Sequence, residues 1–229
     1  MVFLIPIKTH SQNRSQLESR FEGTYKENVG INYLLYFPKD YLEDKSFPLI
    51  LFLHGAGERG DDLKLVTKQG IPKLIEEGKD FPFVVVSPQC PTDKKWNTKA
   101  LIALIDEIIL KYKIDEDRIY VTGLSMGGNG TWRLSAEIAD RLAAVIPICG
   151  WSDPFDICSL GNLPVWAFHG AKDLIVPVTS SQVLVDRINY CKGNAKITIY
   201  PDAGHDSWTE TYNNPEIYEW LLSHSKSQR

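Results

Sequence analysis

The sequence predicts an α/β fold: a mostly parallel sheet of about eight strands, with helices on both faces. Two observations carry that reading. Short apolar runs alternate with helical patterns along the 229 residues. The runs also lack polar alternation, as strands covered on both faces do. With 43% hydrophobic and 24% charged residues, the chain has enough apolar surface for one sizeable core. Its length suits one large domain.

The elements follow in order. Met1–Ile7 is apolar but broken by Pro6. No basic stretch precedes it and no small-residue cleavage site follows, so it reads as an irregular arm or edge strand rather than a signal. The arm is taken as residues 1–20, ahead of a single domain over 21–229. Ile31–Phe37 alternates less cleanly and suggests an edge strand, paired with 21–27 as an antiparallel hairpin. Leu49–Leu53, Phe83–Val86, Ile119–Val121, Ala143–Ile146, Val165–Phe168 and Ile197–Ile199 are the buried runs. Gly, Pro, Asp or His closes each of them.

Leu101, Leu104, Ile105, Ile108 and Tyr112 share one helical face, which predicts a helix over 99–113. Others are expected from just after Ser125 to Ala139, over 179–190, and from Pro215, a good first-turn residue. The βαβα order implies right-handed crossovers.

Several classes of function are excluded early. The net charge of −4 argues against a nucleic-acid binder, which normally carries a basic patch. No apolar run approaches the roughly 18 residues needed to cross a bilayer. The four cysteines, Cys90, Cys149, Cys158 and Cys191, form no CxxC pair. They are expected as reduced, structural thiols, with Cys149–Cys158 the one bridge weighed. With no targeting signal read, the expected location is cytoplasmic.

In open α/β sheets, function gathers in loops at the carboxyl ends of the strands. Gly123-Leu124-Ser125-Met126-Gly127 lies between a strand and a helix. A sharp strand-to-helix turn holds such a serine exposed at its tip, and the helix N-terminus offers free N–H groups to a developing oxyanion. A serine hydroxyl needs a base. His10 and His224 lie in polar stretches and are expected in solvent. His54 and His169 each close a strand before Gly, where a loop-fixing role is expected. His205 follows the last strand and is the candidate base.

The imidazole needs a carboxylate to fix its tautomer. Asp173, in the next loop upstream, is the candidate. Asp202 and Asp206 compete, but they are too near His205 in sequence to reach its far nitrogen easily. Asp153 and Asp156 are weaker competitors. The oxyanion donors are expected to be the N–H of Met126 and that of Ala56 or Gly57, in His54-Gly55-Ala56-Gly57-Glu58-Arg59-Gly60. Glu58 and Arg59 pair, face substrate or lie solvated. Trp96, Trp151 and Trp208 are candidates for the substrate pocket, against ordinary aromatic packing.

Together Leu53–Gly60, Gly123–Trp132, His169–Asp173 and Gly204–Trp208 resemble α/β-hydrolase esterases. The likeness is to the phospholipase/carboxylesterase and dienelactone-hydrolase-like branch, including members labelled "predicted peptidase". The resemblance spans about residues 20–225, and the order Ser125, Asp173, His205 is that of α/β-hydrolases. It implies an α/β-hydrolase fold and hydrolysis of a small-molecule ester through Ser125, His205 and Asp173, without metal or organic cofactor. Dienelactone hydrolase itself is expected to use cysteine where this chain has Ser125, a departure that points to serine-ester chemistry. Many relatives insert a cap after the sixth strand. Here about 16 residues separate Ile148 from Val165, so no cap domain and an open, loop-built site are expected. A serine peptidase with the same triad and a non-catalytic binding protein on this scaffold are the alternatives.

Overall fold

The computed structural model describes residues 16–229, apart from Lys26 and Glu43. The Met1–Ile7 arm and His10 lie outside the described residues.

Eight strands form one sheet: β1 (Leu17–Tyr25), β2 (Glu27–Tyr36), β3 (Phe47–Leu53), β4 (Val84–Pro88), β5 (Ile114–Leu124), β6 (Ala144–Ile148), β7 (Val165–Gly170) and β8 (Ala195–Tyr200). Their order is β1-β2-β4-β3-β5-β6-β7-β8. β1 and β2 form the expected antiparallel hairpin, with Phe21 opposite Ile31, and β2 runs antiparallel to β4. All other pairings are parallel. The hairpin begins at Leu17, so the first strand takes in the end of the expected 1–20 arm.

The helices are α1 (Gly70–Glu76), α2 (Thr98–Lys111), α3 (Met126–Ile138), α4 (Thr179–Tyr190), α5 (Trp208–Asn213) and α6 (Glu216–Leu222). The unbroken apolar strands have a simple cause. Successive side chains point to opposite faces, and both faces are covered. Leu49, Leu51 and Leu53 of β3 join a core with Leu101, Leu104 and Ile105 of α2, Trp132 of α3 and Leu184 of α4. Ile50 and Phe52, between them in sequence, join a second core with Ile71 of α1, Tyr212 of α5 and Tyr218 of α6.

Several boundaries have local causes. Asn97 caps α2, its Oδ1 accepting from the amides of Lys99 and Ala100. β5 extends back to Ile114 because Phe47 pairs there before the register shifts. The connection from β6 to β7 holds one short 3-10 turn, Ile157–Leu160, and no helical cap. The C-terminal segment folds back on β5 and α3. Tyr120 donates to the His224 carbonyl, Lys226 faces Asp117 at 3.7 Å, and Arg229 donates to the Ala139 carbonyl.

The cysteines differ from expectation. Cys158 and Cys191 form a disulfide, while Cys149, the partner weighed for Cys158, is a buried free thiol, as is Cys90. The turn after β6 packs on α4, bringing Cys158 beside Cys191 at the α4 C-cap. The Cys149 thiol lies instead beside the Ser125 backbone and the Ser207 side chain.

Candidate active site

Ser125 stands between β5 and α3 at φ 53° and ψ −114°, in the sparsely populated positive-φ region. Its amide donates to the Ile148 carbonyl at 2.9 Å, which ties the turn to β6. The turn requires glycine at Gly127, where a Cβ would lie 1.8 Å from the Leu53 carbonyl oxygen.

His205 Nε2 lies 2.9 Å from Ser125 Oγ, and its Nδ1 lies 2.7 Å from Asp173 Oδ2. Asp173 Oδ1 accepts from the amides of Ile175 and Val176. Burial alone would raise the Asp173 carboxyl, but hydrogen bonds from His205 and these two amides outweigh it and hold the carboxyl below its usual value. The carboxylate therefore stays charged opposite the imidazole. Three of the four competing acids have their carboxylates engaged elsewhere. Asp202 bridges to Lys172, Asp206 binds the amide and hydroxyl of Thr209, and Asp153 caps the Phe155 amide. Asp156 offers its carbonyl to Ser159 in the turn after β6.

His169 is buried and contacts Ser181 Oγ and the Val176 carbonyl. Burial lowers its pKa, so a neutral ring braces the Asp173 loop. His54 is likewise buried, with its ring bonded to backbone. Both histidines fix loops, as expected. His224 is not simply solvated: its Nδ1 lies 2.7 Å from the Trp220 carbonyl.

Cys149, Asp173 and His205 bring ligand-type atoms within 4.8 Å of one another. Asp173 and His205 are already bonded to each other. Burial pushes the Cys149 thiol up to about 12, so it packs as a neutral group.

A cleft of about 800 Å3 opens over Ser125. Ala56 and Met126 line its floor, and Trp151, Ser152 and Pro154 form one wall. Ile175–Pro177 and the first turns of α4, through Val183, form the other. Of the two glycine-loop candidates, Ala56 lines this cleft and Gly57 does not.

Of the three tryptophans, only Trp151 lines the cleft. Trp96 is buried, and its indole donates to the His54 carbonyl. Trp208 packs edge-on against the His205 ring and donates to Gln69. Both are supports, because each indole N–H finds its partner within the protein. Glu58 turns inward and Arg59 lies at the cleft, its Nε donating to the Ala56 carbonyl. The α4 wall was not read from the sequence. Its one signal is the apolar run Leu174-Ile175-Val176-Pro177, whose first two residues are largely exposed beside Asp173.

The Dienelactone hydrolase family profile matches residues 89–219, a stretch that contains Ser125, Asp173 and His205. The chain belongs to that family. Among solved structures it is similar to one titled "Crystal Structure of a Thermostable Esterase", at 36% identity and a TM-score of 0.80, covering 92% of this chain and 63% of that one. It is also 26% identical over 212 residues to "Bifunctional acetylxylan esterase/xylanase XynS20E" of Neocallimastix patriciarum, covering 85% of this chain and 29% of that protein. A third relative is "Probable feruloyl esterase C" of Aspergillus niger, 26% identical, covering 82% of this chain and 72% of the relative. The chain thus spans less than a third of the acetylxylan esterase/xylanase. Family and fold agree that this is an α/β-hydrolase domain with an eight-stranded, mostly parallel sheet.

Proposed function

We propose that the chain is a serine carboxylic-ester hydrolase acting on short-chain or aryl esters through an acyl-enzyme. The observation that carries this is the continuous relay of Ser125 Oγ, His205 and Asp173, at 2.9 and 2.7 Å, opening into the cleft. The esterase names of its relatives support the same chemistry.

In this reading Ser125 Oγ attacks the ester carbonyl carbon while His205 Nε2 takes its proton. The tetrahedral oxyanion sits before the amides of Met126 and Ala56. Its collapse breaks the carbon–oxygen bond, and His205 returns the proton to the leaving alcohol. Water then attacks the acyl-enzyme by the same route and releases the acid. Asp173 orients the imidazole and stabilises it when charged. The apolar side chains of Trp151, Val176 and Val183, which line the cleft, suit an acyl or aryl group, and the volume is that of a small-molecule site.

Among the described residues no helix is long and apolar enough to cross a membrane. The Cys158–Cys191 disulfide fits an oxidising compartment better than the expected cytoplasm, where thiols are kept reduced.

A fluorophosphonate probe tests the nucleophile, with one adduct expected on the native protein and none on folded Ser125→Ala. A panel of p-nitrophenyl esters from acetate to palmitate, aryl esters and short peptides tests the substrate class. Peak kcat/KM at short or aryl esters is expected. A steady rise towards palmitate, or turnover confined to peptides, would overturn the reading.

A further inference from the structure

One peptide unit carries both the carbonyl that His54 contacts and the N–H of a residue that lines the cleft. Gly55 supplies the carbonyl and Ala56 the N–H. The His54 ring is fully buried and packs edge-on against Trp96, with ring centroids 4.8 Å apart. The Cys90 amide donates to His54 Nε2 at 2.9 Å. A ring nitrogen that accepts carries no proton, so the proton of the neutral ring is on Nδ1. Nδ1 lies 2.6 Å from the Gly55 carbonyl oxygen and donates to it.

In a trans peptide the carbonyl and the N–H point in opposite directions, and no described peptide bond is cis. Drawing the Gly55 carbonyl towards His54 therefore turns the Ala56 N–H the other way. Ala56 lines the cleft beside Ser125. The rest of the turn is held too. Arg59 Nε donates to the Ala56 carbonyl and Gln89 Nε2 to the Glu58 carbonyl.

We propose that His54 is a positioning residue for the reaction: its Nδ1–H tautomer, set by the Cys90 amide, fixes the Gly55–Ala56 peptide so that the Ala56 N–H meets the oxyanion. The proposal rests on the esterase reading above. Charging the ring would place an Nε2 proton against the Cys90 N–H and break the device. Burial keeps the ring neutral by lowering its pKa to about 4.

Two amides separate the two bonds of the ring. In His54→Asn the side-chain N–H replaces the Nδ1 donor and the Cys90 bond is lost. In His54→Gln the side-chain oxygen replaces the Nε2 acceptor and the donor to Gly55 is lost. Each variant is titrated for active sites with a fluorophosphonate, and kcat is expressed per titrated site. His54→Gln is expected to lose about 10–100-fold in kcat, a loss below that of deleting an oxyanion donor outright, with KM within about twofold. Binding of a trifluoromethyl ketone, which forms a tetrahedral adduct, should weaken by the same factor. His54→Asn should retain most of the native kcat. A role confined to tying loops together would lower thermal stability and the titratable fraction while leaving kcat per site alone. Equal kcat per site in the two variants, or unchanged ketone binding in His54→Gln, would overturn the proposal. A native protein labelled at Ser125 that turns over no ester would instead overturn the function on which it rests.

Discussion

Gly170 at the end of β7 meets the Gly204 carbonyl oxygen so closely that a Cβ at Gly170 would lie 2.1 Å from it. Asp173 follows the first residue by three positions and His205 follows the second by one. The acid and the base are thus brought together by backbone contact between their loops. Gly170→Ala must push the loops apart, because the obstructing atoms are main chain. We expect about 1–3 kcal/mol of destabilisation from overpacking and a fall in kcat of about 100-fold from misplacement of the dyad. Urea unfolding and active-site-titrated kinetics measure the two effects. Native kcat per site would show that the loops separate without disturbing His205.

Asp173→Asn should retain the fold and lose about 10⁴-fold in kcat, as a serine protease triad does when the amide favours the wrong histidine tautomer. Asp202→Asn should be nearly silent, since its partner Lys172 lies with it at the surface. Comparing kcat/KM for the two variants on one p-nitrophenyl ester decides the acid. Strong loss in Asp202→Asn with activity kept in Asp173→Asn would reassign it.

The disulfide closes a loop with a sequence separation of 33, worth about 4 kcal/mol by the loop-closure relation. Reduction, or the Cys158→Ser/Cys191→Ser pair, should lower Tm on the order of 10 °C for a domain of this size. The other two thiols are buried, so dithiothreitol acts through this bond. Calorimetry with and without reductant, alongside intact mass, checks it. An unchanged Tm would mean that the two sulfurs are not joined in the folded protein.

Stability should also depend on His54 in mildly acid solution. Its folded pKa, lowered to about 4 by burial, lies below the roughly 6.5 of an unfolded histidine. Between those values the unfolded chain binds the extra proton. The contribution is therefore complete above about pH 6.5 and is lost as pH falls towards 4, by about 3 kcal/mol in all. Urea midpoints across that range should fall more steeply for the native protein than for His54→Asn, which cannot titrate there. Parallel slopes would show that the ring gains its proton without unfolding.

The strands and most helices were legible because burial on both sheet faces leaves a continuous apolar run, as in Leu49–Leu53, and because α2 and α4 keep one apolar face. Ser125, Asp173 and His205 stood out because each follows a strand at its carboxyl end. What stayed hidden depends on contacts between distant segments. Nothing near Cys158 indicates that its turn packs on the far end of α4. The sequence does not tell Trp151, at the cleft, from Trp96, whose indole N–H donates to the His54 carbonyl and holds the ring inside. The short α5, Trp208–Asn213, has too few residues to display a helical period. Nor does spacing say that Glu58 turns inward while its neighbour Arg59 reaches the cleft.

The return of the C-terminal segment has a practical consequence for joining this domain to something else. Arg229 is fastened at Ala139, one residue beyond the end of α3, while Ser125 caps the other end of that helix. At about 1.5 Å per residue, the thirteen residues of α3 put the anchor roughly 20 Å from the nucleophile. A bead or a reporter joined after Arg229 would attach near the end of α3 that lies away from Ser125, so a bulky or insoluble ester would keep its approach to the nucleophile.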